Sequence, residues 1–450
     1  MSIVYKLAAV PLKGRKMNKE LLKKKACEII DANRDRLFDI GMDLYHHPQT
    51  GYKELYASEK VQKVFDELGL KHEDNLAITG VKAELFDKAE GPNVCIMGEL
   101  DSLIIPEHPD CDPETGAAHC CGHFAQITTM LGSAIALTAL KDEIDGGNVT
   151  FFAVPAEECI EIEYRKGLID EGKIKYLGGK QELIHLGCFD DVDVAMMVHS
   201  GNSSDSITAD SKSVGFVAKN VLFKGRAAHA GGSPWNGINA LDAATLALTA
   251  INAIRSTLKD QDCIRIHPII TKGGSVVNAV PDDVRMELYV RGATVEAIKD
   301  ANFKVNRAIK GAAYAIGAEV EIIDLPGYLP CSYESTLAHI FGDNAAALFP
   351  DRKIIYSDEM EGGSSDMGDI ATVVPAVQGS CGGITGDFHS KDFTITNKEM
   401  LFLDPAKIMA CTVIDLLADD AAKAKEVMAN FKSPYNTKNF DGIWDAIMGE

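Results

Sequence analysis

Cysteine and histidine stand one residue apart at Cys121-Gly122-His123. The glycine between them lets the backbone bend, so that a thiolate and an imidazole can reach one cation. The triplet alone says little, because free cysteine is a common core residue and a single histidine is more often a satisfied polar group than a ligand. Its weight comes from company. A carboxylate pair stands at Pro155-Ala156-Glu157-Glu158, a histidine at His199, and two more carboxylates at Glu99 and Asp101. Thiolate and imidazole suit zinc and carboxylates suit manganese. Clustered together, the three types point to a divalent-metal site.

Each of these groups stands where a strand should end. The apolar runs at 93–98, 148–154 and 192–198 read as short strands that run into Glu99, into Glu157-Glu158 and into His199. Continuous apolar strands alternating with helices predict a largely parallel sheet buried on both faces. In such sheets functional groups gather beyond the carboxyl ends of the strands. Packing alone would put apolar or turn residues at those ends. The triplet itself lies where a loop enters a buried helix, with Ile127, Met130, Leu131, Ala134, Leu137 and Leu140 at helical spacing.

The elements around them follow from the same periodicities. Helices are predicted over 18–40 and 57–68, ahead of the first strand. The pair His46-His47 precedes Pro48 and reads as capping and packing, since adjacent side chains on a helix diverge. From Val214 the order becomes strand (214–224), helix (236–258), strands (263–271 and 284–291), helix (295–315) and strand (319–323). That βαββαβ order is the ferredoxin-like pattern. The chain is therefore read as an α/β body, 17–212 plus 326–450, carrying an inserted module at 213–325. A helix at 337–348, an extended segment at 353–356 and two helices between Pro405 and Asn430 complete the body. Residues 1–16 read as an extension ahead of the fold.

Composition narrows the function. With 450 residues the chain is long for one core, and its formal net charge is −21 with no basic cluster. That argues against nucleic acid and against anionic membrane as partners. No apolar run approaches a membrane span. Eleven cysteines, an odd number without a disulfide framework, predict reduced thiols and a cytoplasmic protein. No Gly-x-Gly-x-x-Gly follows a strand, so a dinucleotide-binding oxidoreductase is poorly supported.

Taken together, Cys121-Gly122-His123, Pro155-Ala156-Glu157-Glu158, His199 and a late histidine, His389, resemble a known family. It is the family of metal-dependent amidohydrolases that includes aminoacylases, carboxypeptidase G, peptidase T and the hydrolases of indole-acetyl-amino acids and aminobenzoyl-glutamate. The likeness runs from Leu44 to about Phe393 and is closest to the amidohydrolase branch. It implies two divalent ions, zinc or manganese, held by Cys121, His123, Glu158, His199 and His389, with the Cys121 thiolate between them. It implies Glu157 as general base, His229 as the group that polarises the scissile carbonyl, and Asn278 and Arg291 as ligands of a substrate carboxylate. Gly362 and Gly363 match backbone that meets the substrate. For Arg291 the plainer alternative is a surface salt bridge on a lid strand. The resemblance also implies that the inserted module is a lid through which two copies pair. The expected reaction is hydrolysis of a small-molecule amide with a free carboxylate: an N-acyl amino acid, a dipeptide or an aminobenzoyl-glutamate-like compound. The sequence departs from the branch at Phe124 and Gln126, where Asp or Asn and a second His are usual, and at Glu99-Leu100-Asp101, where a pair of aspartates is usual. Those departures motivate the alternative, a non-catalytic metal- or metabolite-binding paralogue.

Overall fold

Four strands form the centre of the larger sheet, in the order Asn148–Val154, Asn93–Glu99, Val194–Ser200 and Ala376–Cys381. Every neighbouring pair among them is parallel. The first two are buried along their whole length, as apolar strands covered on both faces must be. Antiparallel strands Gly80–Glu84 and His72–Leu76 extend one side. On the other side Ser206–Ser213 carries Cys331–Ser332 and Lys353–Glu361, completing nine strands. The structure, a computed structural model, describes residues 17–87, 90–144 and 146–449. The extension expected at 1–16 lies outside them.

The helix His123–Ala139 covers one face of this sheet and is buried from His123 to Leu137. It touches Lys19–Ala32, Arg34–Tyr45 and Asp404–Asn430. The opposite face is covered by Leu183, Ile184, Phe189, Ile370 and Trp444, in a core continuous with that of the smaller sheet. The smaller sheet is antiparallel, in the order Arg265–Lys272, Asp283–Gly292, Gly215–Lys224, Glu319–Tyr328. Helices Ala240–Ile254 and Val295–Ile316 pack on it and on each other. Along Asp283–Gly292 the residues Val284, Met286, Leu288 and Val290 are buried. Strand alternation therefore puts Arg285, Glu287, Tyr289 and Arg291 on the other face.

Three differences from expectation have local causes. The helix expected over 18–40 is two helices, parted at Asn33. Its amide Nδ2 donates to Ile29 O at 2.8 Å, the competition for backbone acceptors that makes asparagine a helix breaker. The last strand of the smaller sheet runs to Tyr328, past residue 325, because Pro326 and Tyr328 still pair with Val217 and Phe216, with a one-residue shift of register at Gly327. A terminal helix, Phe440–Met448, buries Phe440, Ile443, Trp444 and Ile447 against the body. The two helices expected between Pro405 and Asn430 are parted by left-handed residues Asp419, Asp420 and Ala421.

Candidate active site

The parallel strands end along one edge of the sheet, and the ligand-type side chains meet there. Gly122 has φ 97°, and a Cβ on it would lie 2.1 Å from Ser200 Oγ. Only glycine lets this turn nest against the end of Val194–Ser200. The turn sets Cys121 Sγ 3.4 Å from His199 Nε2. Ligand atoms of Cys121, His123 and His199 all lie within 4.8 Å of one another, and so do those of Cys121, Glu158 and His389. Cys121 belongs to both triads. His389 arrives on a loop at φ 58°; its N–H donates to Cys120 O at 2.9 Å. Its Nε2 stands 3.3 Å from Glu158 Oε1.

Outer contacts aim these groups. Asp101 Oδ1 lies 3.0 Å from His123 Nδ1, and Asp101 Oδ2 accepts Glu158 N–H at 2.9 Å. His199 Nδ1 lies 2.8 Å from Ser200 O. Both imidazoles are thereby oriented through Nδ1, leaving Nε2 for the cage. The carboxylate turn is strained and pinned. Ala156 has φ 54°, a conformation that costs a non-glycine residue on the order of 1–3 kcal/mol. Ala156 N–H donates to Glu54 Oε1 at 2.8 Å, and Gly179 N–H donates to Ala156 O at 3.1 Å. Buried Arg165 donates to Glu158 O, and Tyr328 O–H to Glu157 O. The turn sends the adjacent glutamates apart. Glu158 faces Cys121 and His389, whereas Glu157 faces Glu99 and His123.

The donors fit a divalent cation. His123 Nε2 and Glu158 Oε1 are buried and have no hydrogen-bond partner among the described residues. Each has one neighbour at ion-pair distance, Glu99 Oε2 at 3.1 Å and His389 Nε2 at 3.3 Å. Buried polar atoms without a hydrogen bond are costly, and a cation in each of the two triads would account for both. A sulfur, three imidazoles and a carboxylate form a donor set of the zinc type. Burial, then Glu99 and Glu158, push the Glu157 carboxyl well above its ordinary range. The site is thus short of positive charge.

A cleft of about 650 Å³ opens from the cage, with Glu157, His199 and His389 at its floor and Phe216, Tyr289 and Arg291 on its lid wall. Arg291 Nη1 donates to Ser364 Oγ at 2.8 Å, and its guanidinium stacks 5.1 Å from Phe216 and 5.6 Å from Tyr289. Among the described residues it pairs with no carboxylate, so the salt-bridge alternative is not what the structure shows. Gly363 lines the cleft. Gly362 faces a separate cavity beside Arg255 and Arg265. His229 and Asn278 lie together on the lid, where Ala230 N–H donates to Asn278 O at 2.9 Å. Both are exposed and neither lines the cleft.

The two departures at the triplet are accommodated. Phe124 turns away into the core, its ring 5.0 Å from Tyr45 and 5.9 Å from Phe402. Gln126 Nε2 donates to Glu99 Oε2 at 2.7 Å. Sequence reasoning missed Arg165, Tyr328, Lys180 and Asp366. Lys180 is wholly buried behind the cage, bonded to Glu99 and Asp366; its one local sign is its place directly after Gly178-Gly179.

Comparison with known proteins agrees with this arrangement. The profile of peptidase family M20/M25/M40 matches residues 59–413. The chain is 27% identical to mouse (Mus musculus) Xaa-Arg dipeptidase over 424 residues, 88% of this chain and 89% of that one. It is 26% identical over 303 residues to one of the subunits of the p-aminobenzoyl-glutamate hydrolase of Escherichia coli, 65% of this chain and 58% of that one. In fold it is similar to a dinuclear metal-binding M20 peptidase from Bacillus subtilis, with a TM-score of 0.65 at 22% identity over 86% of this chain and 99% of that one. With most of its length matched and its ligand-type side chains gathered in one cage, the chain belongs to peptidase family M20/M25/M40 and is an amide-bond hydrolase.

Proposed function

We propose that this chain hydrolyses the amide bond of a small substrate with a free carboxylate, using two divalent ions. The observation that carries the reading is the pair of ligand triads sharing Cys121. Cys121, His123 and His199 would hold one ion, and Cys121, Glu158 and His389 the other, each zinc or manganese. When bound, the ions polarise the amide carbonyl and bring the pKa of water to near 7. Glu157, beside the cage yet in neither triad, takes the proton of the attacking water and passes it to the departing amine. Arg291, stacked and without a carboxylate partner, presents its fork to the substrate carboxylate. Relatives named as a dipeptidase, an aminobenzoyl-glutamate hydrolase and an N-acetylcysteine deacetylase support an N-acyl amino acid, a dipeptide or an aminobenzoyl-glutamate-like compound.

The lid geometry supports a homodimer. His229 and Asn278 are exposed and outside the cleft of their own chain, so each is assigned to the site of a second copy. There His229 donates to the oxyanion and Asn278 to the carboxylate. None of the described helices is long and apolar enough to cross a membrane. A cytoplasmic setting accords with eleven free cysteines. The test combines metal analysis with amine release from a panel of dipeptides, N-acyl amino acids and aminobenzoyl-glutamate. The expected result is two ions per chain and turnover that a chelator abolishes and metal restores. Chelator-resistant turnover, or a metal-loaded chain inert on the whole panel, would count against the reading.

A further inference from the structure

The geometry points to Lys180 as a positioning residue, whose single ammonium ties the wall of the metal cage to the loop that carries Ser364. This inference rests on the proposed metal site. The Lys180 side chain is 0% exposed, and its partners Glu99 and Asp366 are 1% and 0% exposed. Lys180 Nζ bonds Glu99 Oε1 and stands 2.5 Å from Asp366 Oδ1. Lys180 N–H donates to Asp366 Oδ2 at 3.1 Å.

Each carboxylate leads to a different half of the cleft. Glu99 Oε2 lies 3.1 Å from His123 Nε2, the nitrogen aimed into the cage. Gln126 holds that same oxygen at 2.7 Å. Asp366 closes the Gly362–Ser365 loop and begins the helix Met367–Val373. Within that loop Ser364 Oγ accepts from Arg291 and donates to Val214 O at 2.6 Å. The path runs from His123 through Glu99, Lys180 and Asp366 to Ser364 and Arg291.

Burial of three charges is not a route to stability, because apolar groups of the same volume often do as well or better. What the charges add is fixed position. A carboxylate left loose beside His123 can swing onto the cage or away from it; two opposed donors, Lys180 and Gln126, remove that freedom. Outer contacts of this kind typically change metal affinity by about 10- to 100-fold. Lys180 grips both carboxylates, whereas Gln126 grips only Glu99. The two residues should therefore fail differently.

The test uses the full chain and three variants: Lys180→Met, the charge-neutral Lys180→Met/Glu99→Gln/Asp366→Asn, and Gln126→Met. The neutral triple variant keeps the experiment informative if Lys180→Met alone fails to fold, and Gln126→Met introduces no unpaired charge. Zinc affinity is read by competition with a chromophoric chelator. Cobalt substitution reads the ligand set through its thiolate and d–d bands. KM and kcat are taken at saturating metal. The expected result is one tight and one weakened ion, by about tenfold or more, in all three, with altered cobalt bands. KM should rise in the Lys180 variants and stay put in Gln126→Met. A triple variant with wild-type affinity for both ions and wild-type KM would overturn the positioning role. So would a Gln126→Met chain that binds both ions normally. Wild-type protein with two ions and turnover, beside such unaffected variants, leaves the proposed function standing and removes only this inference. Wild-type protein that binds no metal removes both.

Discussion

The metal cage and the tip of the lid were built to different rules. Four of the five ligand-type groups of the cage are set by the end of a strand, a pinned turn or a buried helix, and only the fifth, His389 on its loop, is exposed. The lid tip is the reverse. His229 and Asn278 are exposed, beside Val277 at 100% and Trp235 at 76% exposure. The cage brings its donors together within one chain. The tip presents a histidine, an amide and apolar side chains to solvent, an arrangement that makes sense against another surface. The lesson is that rigidity was placed where charge must be held, and reach where the proposed second copy would be met.

The sharpest way to break this comparison lies inside the cage. Glu157 and Glu158 are neighbours in sequence, yet only Glu158 belongs to a Cys121 triad. Glu157→Gln should keep both ions and substrate binding while kcat falls by roughly 10²–10⁴, the usual weight of a general base. Glu158→Gln should lower metal occupancy as well as turnover. Bound metal and turnover measured on each variant decide it. Equal metal loss in both would mean that the turn at Ala156 does not separate the two roles.

The second effect belongs to the lid. His229→Ala should cost roughly 10²–10³ in rate, as loss of one oxyanion donor does, with metal content unchanged. If His229 acts across a two-fold pair, inactive Glu157→Ala and inactive His229→Ala chains should complement after subunit exchange. Random pairing leaves about a quarter of sites intact. An exchanged mixture, proven mixed by differential tagging, that stays inactive would return His229 to its own chain and erase the contrast between the two regions.

Most of the cage was legible in sequence because a sheet buried on both faces writes itself as unbroken apolar runs; His389, on a loop, came only from the family resemblance. A carboxylate or histidine at the end of such a run, as at Glu99 and His199, has no packing reason to be there. The βαββαβ order was legible for the same reason, helical and strand periods alternating over long segments. What stayed hidden was long-range. Glu99 and Lys180 are 81 positions apart, and Lys180 and Asp366 are 186 apart. A lysine on a short helix looks solvated until the fold buries it. The flanking strand His72–Leu76 hid because it is polar and largely exposed. The break at Asn33 hid because apolar spacing continues through it. Phe440–Met448 carried Phe440, Ile443, Trp444 and Ile447 at helical spacing, a signal open to the same reading that found the other helices.

The smallest expected effect separates two adjacent cysteines. Cys121 opens into the cleft, 3.4 Å from His199 Nε2. Cys120 is 0% exposed and sits in the apolar cluster with Phe124; burial pushes its thiol up to about 12, with help from Cys111 and Asp110. Among the described residues its hydrogen bond to the cage is made by the backbone, where Cys120 O accepts the His389 N–H at 2.9 Å. Alanine keeps that carbonyl in place. Cys120→Ala should therefore retain both ions and full kcat, and lose only about 1 kcal/mol of stability for one buried sulfur. Cys121→Ala, one residue on, should empty one or both ion positions. Metal counts and melting curves on the two variants settle the register of the triplet. If the Cys120 change empties the cage and the Cys121 change spares it, the shared ligand has been assigned to the wrong thiol, and the cage is not the one drawn from these side chains.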